Sequence, residues 1–105
     1  MSANLTRLVP IEDFPKDSSK PVEVDGKKLL VCHSADAFFV VVNKCSHADE
    51  ALDCGRVRRG WISCPIHGAR FDLATGEAKN PPAVVPIKTY PAQVIDGWVA
   101  ADLSA

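Results

Sequence analysis

Cys45-Ser-His47 and Cys64-Pro-Ile-His67 are the residues of this 105-residue chain whose types and spacing could do chemistry. Each pair couples one thiol with one imidazole, and sixteen residues, 48 to 63, separate the pairs. A structural zinc finger usually places its two Cys in one pair and its two His in the other. Mixed pairs on two facing loops suit a two-iron cluster instead, with one iron taking both thiolates and the other both imidazoles. Thiolates are soft and anionic and stabilise ferric iron. Neutral imidazoles donate less charge, so the added electron settles on the iron they bind. Zinc on the same four side chains, or no metal, is the plainer alternative.

The motif C-x-H…C-P-x-H-G, followed by Phe71-Asp72 and Thr75-Gly76-Glu77 and carrying Gly55 and Gly60 between its halves, resembles that of soluble Rieske-type ferredoxins. The resemblance runs from about Leu5 to Leu103, and its specific part is Cys45 to Pro82. It implies one [2Fe–2S] cluster per chain, with Cys45, His47, Cys64 and His67 as both its metal ligands and its cofactor-binding residues. It also implies an exposed imidazole edge and a third, proline-containing loop over the cluster, here Pro81-Pro82. An ordinary turn after Lys79-Asn80 explains those prolines equally well. Respiratory relatives brace their cluster loops with a disulfide; the matching positions are Glu50 and Ile66, so no such brace can form.

The same resemblance says which groups would hydrogen-bond the cluster. Hydrogen bonds to cluster sulfurs raise the potential. High-potential relatives carry a Ser and a Tyr shortly after the last His. Here Ala69 and Phe71 stand there, so both hydroxyls are missing. The expected potential is at the low end of the Rieske range, near about −150 mV. Gly55 and Gly68 are expected to let backbone N–H groups approach the cluster, and Pro65 to restrain its loop.

Two further cysteines remain. Cys32 lies in the apolar run Leu29-Leu30-Val31-Cys32 and reads as a small buried hydrophobe. Cys54, between Asp53 and Gly55, falls outside both pairs and reads as a bystander. Free thiols suit a reducing compartment. The N-terminus lacks the basic start and apolar run of a secretory signal, and no stretch approaches the ~20 apolar residues that cross a bilayer. These features predict a cytoplasmic protein.

The elements that must position the pairs read as short strands. Val22–Val24, Asp25-Gly26 and Lys28–Cys32 form a hairpin pattern. Ser34-Ala35-Asp36 separates it from Ala37–Val42, a continuous apolar run expected of a central strand covered on both faces. Trp61-Ile62-Ser63 leads into the second pair, and Tyr90–Ile95, Asp96-Gly97 and Trp98–Ala101 form another hairpin. Ala48–Leu52 could make one helical turn. Pro10, Pro15 and Pro21 predict an irregular first twenty residues.

The expected fold class is therefore all-β, a small antiparallel sandwich or barrel. The resemblance adds a Rieske-type iron–sulfur fold with an inserted cluster-binding subdomain of loops at about 43–82. At 47% hydrophobic, residues 1–105 can bury one modest core and so make a single domain.

Three functional classes fit these residues. The resemblance implies a one-electron carrier between an NAD(P)H-dependent ferredoxin reductase and a terminal ring-hydroxylating oxygenase, not catalytic alone and monomeric. An oxygenase would need a separate iron on two His and a carboxylate; the chain has three His, none after His67. A small Rieske-like subunit of a nitrite-reductase-type enzyme is the alternative. A zinc-bound structural or nucleic-acid module is the third, and a net charge of −1 argues against nucleic acid.

Two features lie outside the pairs. His33 ends an apolar run and reads as a surface strand-end residue. Arg56, Arg58 and Arg59 with Lys44 make a local basic cluster, read either as a solvated hairpin face or as a docking rim. Asp49, Glu50 and Asp53 offer a rim of opposite sign.

Overall fold

A computed structural model describes residues 5–44, 52, 55–63, 70–79 and 86–104. Ten strands follow one another: β1 (Leu5–Pro10), β2 (Ser18–Val24), β3 (Lys27–Ser34), β4 (Ala37–Val42), β5 (Val57–Arg58), β6 (Trp61–Ser63), β7 (Arg70–Asp72), β8 (Thr89–Tyr90), β9 (Ala92–Ile95) and β10 (Trp98–Asp102). They form three antiparallel sheets, ordered β1-β10-β9, β2-β3-β4-β8 and β5-β6-β7. Among the described residues there is no helix, as the all-β expectation required.

Four of the connections are two-residue turns whose central residues both have positive φ: Asp25-Gly26, Ala35-Asp36, Arg59-Gly60 and Asp96-Gly97. That is the turn whose twist matches the strands it joins, and Asp-Gly is its preferred sequence. The two Asp-Gly hairpins thus fold as expected. The turn after β3 is shorter than expected, because Ser34 pairs with Ala37 inside the ladder. Tyr90 also departs from the expectation. It pairs with Val40 on β4, and Pro91 separates it from β9.

The four-stranded sheet is the middle layer, which explains its unbroken apolar runs. On one face, Leu29, Val31 and Val40 pack with Val9, Phe14, Val99 and Ala101. On the other, Leu30, Cys32 and Val41 pack with Leu52, Val57, Ile62, Phe71, Leu73 and Ile87. Alternate side chains of a strand point to opposite faces, so both parities must be apolar when both faces are covered.

The N-terminal region is more regular than its prolines suggest. β1 pairs with β10 from Leu5↔Asp102 to Pro10↔Trp98, with a bulge between Arg7 and Val9. Pro21 sits inside β2, which is an edge strand. An edge strand tolerates proline because the missing N–H leaves no ladder bond broken.

Candidate metal centre

The segment after β4 departs from one middle-layer strand and returns to its neighbour. Val42 N donates to Lys88 O at 2.9 Å, and β8 pairs with β4. Residues 43–88 are thus an insertion between adjacent strands, and the β5–β6–β7 sheet lies inside it. The first Cys-His pair leaves from the end of β4 and the second from the end of β6. Cys45, His47, Cys64 and His67 themselves lie outside the described residues, as do Cys54, Pro65, Gly68, Pro81, Pro82 and the carboxylates Asp49, Glu50 and Asp53. So do residues 48–51 of the suggested helical turn; Leu52, the one described residue of that turn, is fully buried in the core.

The frame that carries the pairs is described, and it ties their flanks together. Asn43 Oδ1 accepts from Leu52 N at 2.8 Å, closing the segment that holds Cys45 and His47. Gly55 N donates to Leu52 O at 2.8 Å, so this N–H points to backbone rather than to a cluster. The need for glycine is steric instead. A Cβ on Gly55 would lie 1.9 Å from Ser63 O and 3.0 Å from Leu52 O. Ser63 is the residue before Cys64, so this close approach holds the flanks of the two pairs against each other.

The second pair sits on the six residues that join Ser63 to its cross-strand partner Arg70. A third segment, 80–85, springs from the same end of the sheet. Lys79 N donates to Arg70 O at 2.7 Å, and Ile87 N to Gly76 O at 2.9 Å. The flanks of all three segments therefore meet at one end of one small sheet, where the first enters at Arg56, the second leaves at Ser63 and the third at Lys79.

Ser34, which sequence reading treated as a spacer, anchors that sheet to the middle layer. It is fully buried. Its Oγ donates to Asp17 Oδ1 at 3.0 Å and accepts from Gly60 N at 2.8 Å. Asn43 was equally silent in the sequence; an Asn directly after a strand and before a loop was the available signal.

The described Cys and His outside the pairs are otherwise engaged. Cys32 faces the core between the middle layer and the β5–β7 sheet, and burial pushes its thiol up to about 12. It is neutral and inert, as expected of a buried small hydrophobe. His33 lies near the end of β3 as expected, but it is half-buried rather than open to solvent. Its ring stacks on Phe38 at 4.2 Å and meets Phe14 edge-on at 5.8 Å. Its Nδ1 lies 3.0 Å from Phe14 O. Residues 11–17 fold over the end of β3 and cover it, which no local pattern announces.

The family model for the Rieske [2Fe-2S] domain matches residues 4–91. The chain belongs to the Rieske [2Fe–2S] domain family. The ferredoxin component of biphenyl 2,3-dioxygenase from Rhodococcus jostii (strain RHA1) is 33% identical, over 94% of this chain and 92% of that one. A ferredoxin of Sphingomonas yanoikuyae B1 superposes with a TM-score of 0.87 at 37% identity, over 94% of this chain and 98% of the other. A chain from a complex of reduced oxygenase and oxidised ferredoxin in carbazole 1,9a-dioxygenase shares the fold, with a TM-score of 0.87 at 24% identity over 96% of this chain and 94% of that one. The all-β Rieske-type fold expected from the motif is thus the fold observed, and a [2Fe–2S] cluster is the cofactor of this Rieske domain.

The described frame fits such a group. Two segments bearing two thiols and two imidazoles spring from flanks held in contact by Gly55, and the flank of a third, Lys79, is hydrogen-bonded to Arg70. No helix among the described residues is long and apolar enough to cross a membrane.

Proposed function

We propose that this Rieske domain carries single electrons from an NAD(P)H-dependent ferredoxin reductase to a terminal ring-hydroxylating oxygenase. The observation that carries this reading is the pair of tethered flanks, joined at Gly55 and Ser63, on either side of Cys45-Ser-His47 and Cys64-Pro-Ile-His67. In this reading Cys45 and Cys64 hold one iron and His47 and His67 the other. The cluster supplies a one-electron couple. The chain's own residues set its ligand charge, exclude water from its inner side and present its outer edge.

The names of the relatives support the carrier role, since they are ferredoxin components and one came from a complex with its oxygenase. The carrier works as a monomeric single domain, residues 1–105, in the cytoplasm, where Cys32 and Cys54 stay reduced. Ala69 and Phe71 supply no hydroxyl to the cluster, so its potential lies near the low end, about −150 mV.

Electron paramagnetic resonance on the dithionite-reduced protein, with iron, sulfide and zinc analysis, tests the ligand set. The expected result is two irons, two sulfides and the rhombic, low-average-g signal of mixed thiolate–imidazole ligation. In Cys64→Ser the signal is expected to vanish. In His67→Cys it is expected to shift towards that of an all-thiolate centre, with the potential falling towards about −400 mV. One zinc and no signal in the wild type would end the electron-transfer reading.

A further inference from the structure

Four of the five arginines in this chain, Arg56, Arg58, Arg59 and Arg70, lie on or beside the β5–β6–β7 sheet, although the whole molecule has a net charge of only −1. The sheet buries Val57, Ile62 and Phe71, which are opposite one another in register. Alternation then sends their neighbours outward. One outward row is Arg56, Ser63 and Arg70, and the next is Arg58, Trp61 and Asp72. The arginines are exposed, and the Arg70 guanidinium lies 4.7 Å from the centre of the Trp61 ring.

Among the described residues, the acids beside this sheet pair with Lys79 and not with Arg56, Arg58 or Arg59. Asp72 is paired to Lys79 at 3.7 Å, and Glu77 to the same ammonium at 3.6 Å. From Gly55 to Ser63 the chain carries no acidic residue at all. Among the described residues, no carboxylate is within ion-pair range of Arg56, Arg58 or Arg59. The result is a half-buried tryptophan with Arg70 against its ring and Arg58 as its cross-strand neighbour, residue types in which protein interfaces concentrate their binding energy.

We propose that this face docks an acidic surface patch of the redox protein that exchanges electrons with the cluster, an inference that rests on the carrier reading above. Its place decides for a redox partner. The row Arg56–Ser63–Arg70 ends directly on residues 64–69, which bear Cys64 and His67. A partner seated on the arginines is therefore held at Ser63 and Arg70, the two flanks of the segment that bears the second ligand pair. Charge on such a rim steers encounter and sets orientation more than it adds affinity.

The test uses two haem acceptors of opposite charge. Holoprotein is reduced with dithionite, desalted and mixed in a stopped flow with cytochrome b5, which is acidic, or cytochrome c, which is basic. Sodium chloride runs from about 10 mM to about 1 M, over which the Debye length shrinks from roughly 30 Å to roughly 3 Å. Transfer to cytochrome b5 is expected to slow by about tenfold or more with salt, and by about tenfold at low salt in Arg56→Glu/Arg58→Glu. The milder Arg56→Gln/Arg58→Gln falls between, and carries the test if the Glu pair lowers cluster content.

A control with the same change in net charge, Arg7→Glu/Lys16→Glu on another part of the surface, stays within about twofold of wild type. Cytochrome c is not slowed by the arginine variants. An unchanged cytochrome b5 rate in both arginine variants overturns the docking face, as does equal slowing by the control. Failure of the reduced wild type to reduce either cytochrome overturns the carrier reading itself.

Discussion

Gly55 and Gly60 stand eight and three residues before Ser63, the second pair's flank, yet replacing them has different costs. At Gly55 a methyl group would collide with Ser63 O at 1.9 Å, and both obstructing atoms are backbone. Neither can step aside without parting the flanks of the two ligand pairs. Gly55→Ala is expected to destabilise by about 3 kcal/mol and to lower iron content. At Gly60 nothing lies within 4 Å, and only its φ of +85° resists a side chain. Gly60→Ala is expected to cost about 1–2 kcal/mol and leave iron content unchanged. Denaturant midpoints with iron analysis check both, and equal iron loss in the two variants would sink the assignment. Residue type was readable for both glycines, but the reason at Gly55 was not. Its expected N–H role gave way to a steric one because Leu52 O already takes that N–H.

At the scale of elements, the β5–β6–β7 sheet must be held at a fixed height over the middle layer. Apolar packing through Val57, Ile62 and Phe71 brings it there but leaves rotation loosely specified. The Asp17–Ser34–Gly60 chain of hydrogen bonds adds direction. Ser34→Ala removes the hydroxyl and strands Gly60 N and Asp17 Oδ1, which is expected to cost about 1–3 kcal/mol. The check is a lower denaturant midpoint at unchanged slope; a shift too small to measure would mean that water replaces both bonds. Hairpins were legible at this scale because each is decided within a few residues, by φ > 0 turns and strand runs. The pairing of β1 with β10 was not. Leu5 and Asp102 are brought together by shared burial, not by any local signal.

At the scale of the molecule, three sheets share two cores through one middle layer. Each outer layer holds one tryptophan, Trp61 in β6 and Trp98 in β10. Val31 and Cys32 are adjacent on β3 yet belong to opposite cores, so neither core can open without disturbing the other. The expected outcome is a single cooperative transition. Single-tryptophan variants, Trp61→Phe and Trp98→Phe, let fluorescence report each outer layer alone. Their denaturant midpoints should coincide after correction for each substitution's own cost; two separated transitions would divide residues 1–105 into independent units. The docking face belongs to this scale too, since Arg56, Arg58 and Arg70 become neighbours only when three strands align.

Cofactor class, the Asp-Gly hairpins and the two-sided character of β4 were determined by the sequence alone. Each depends on residue type at short spacing, where thiolate softness, left-handed turn geometry and two-residue alternation act locally. The tethering of the flanks of three segments at one end of the small sheet, the packing of half-buried His33 against Phe14, the anchoring role of Ser34 and the gathering of arginines on the face that carries Trp61 were decided only by tertiary structure. These join residues distant in the chain, and which distant residues meet is settled by the burial of whole sheet faces rather than by any pattern a local stretch can carry.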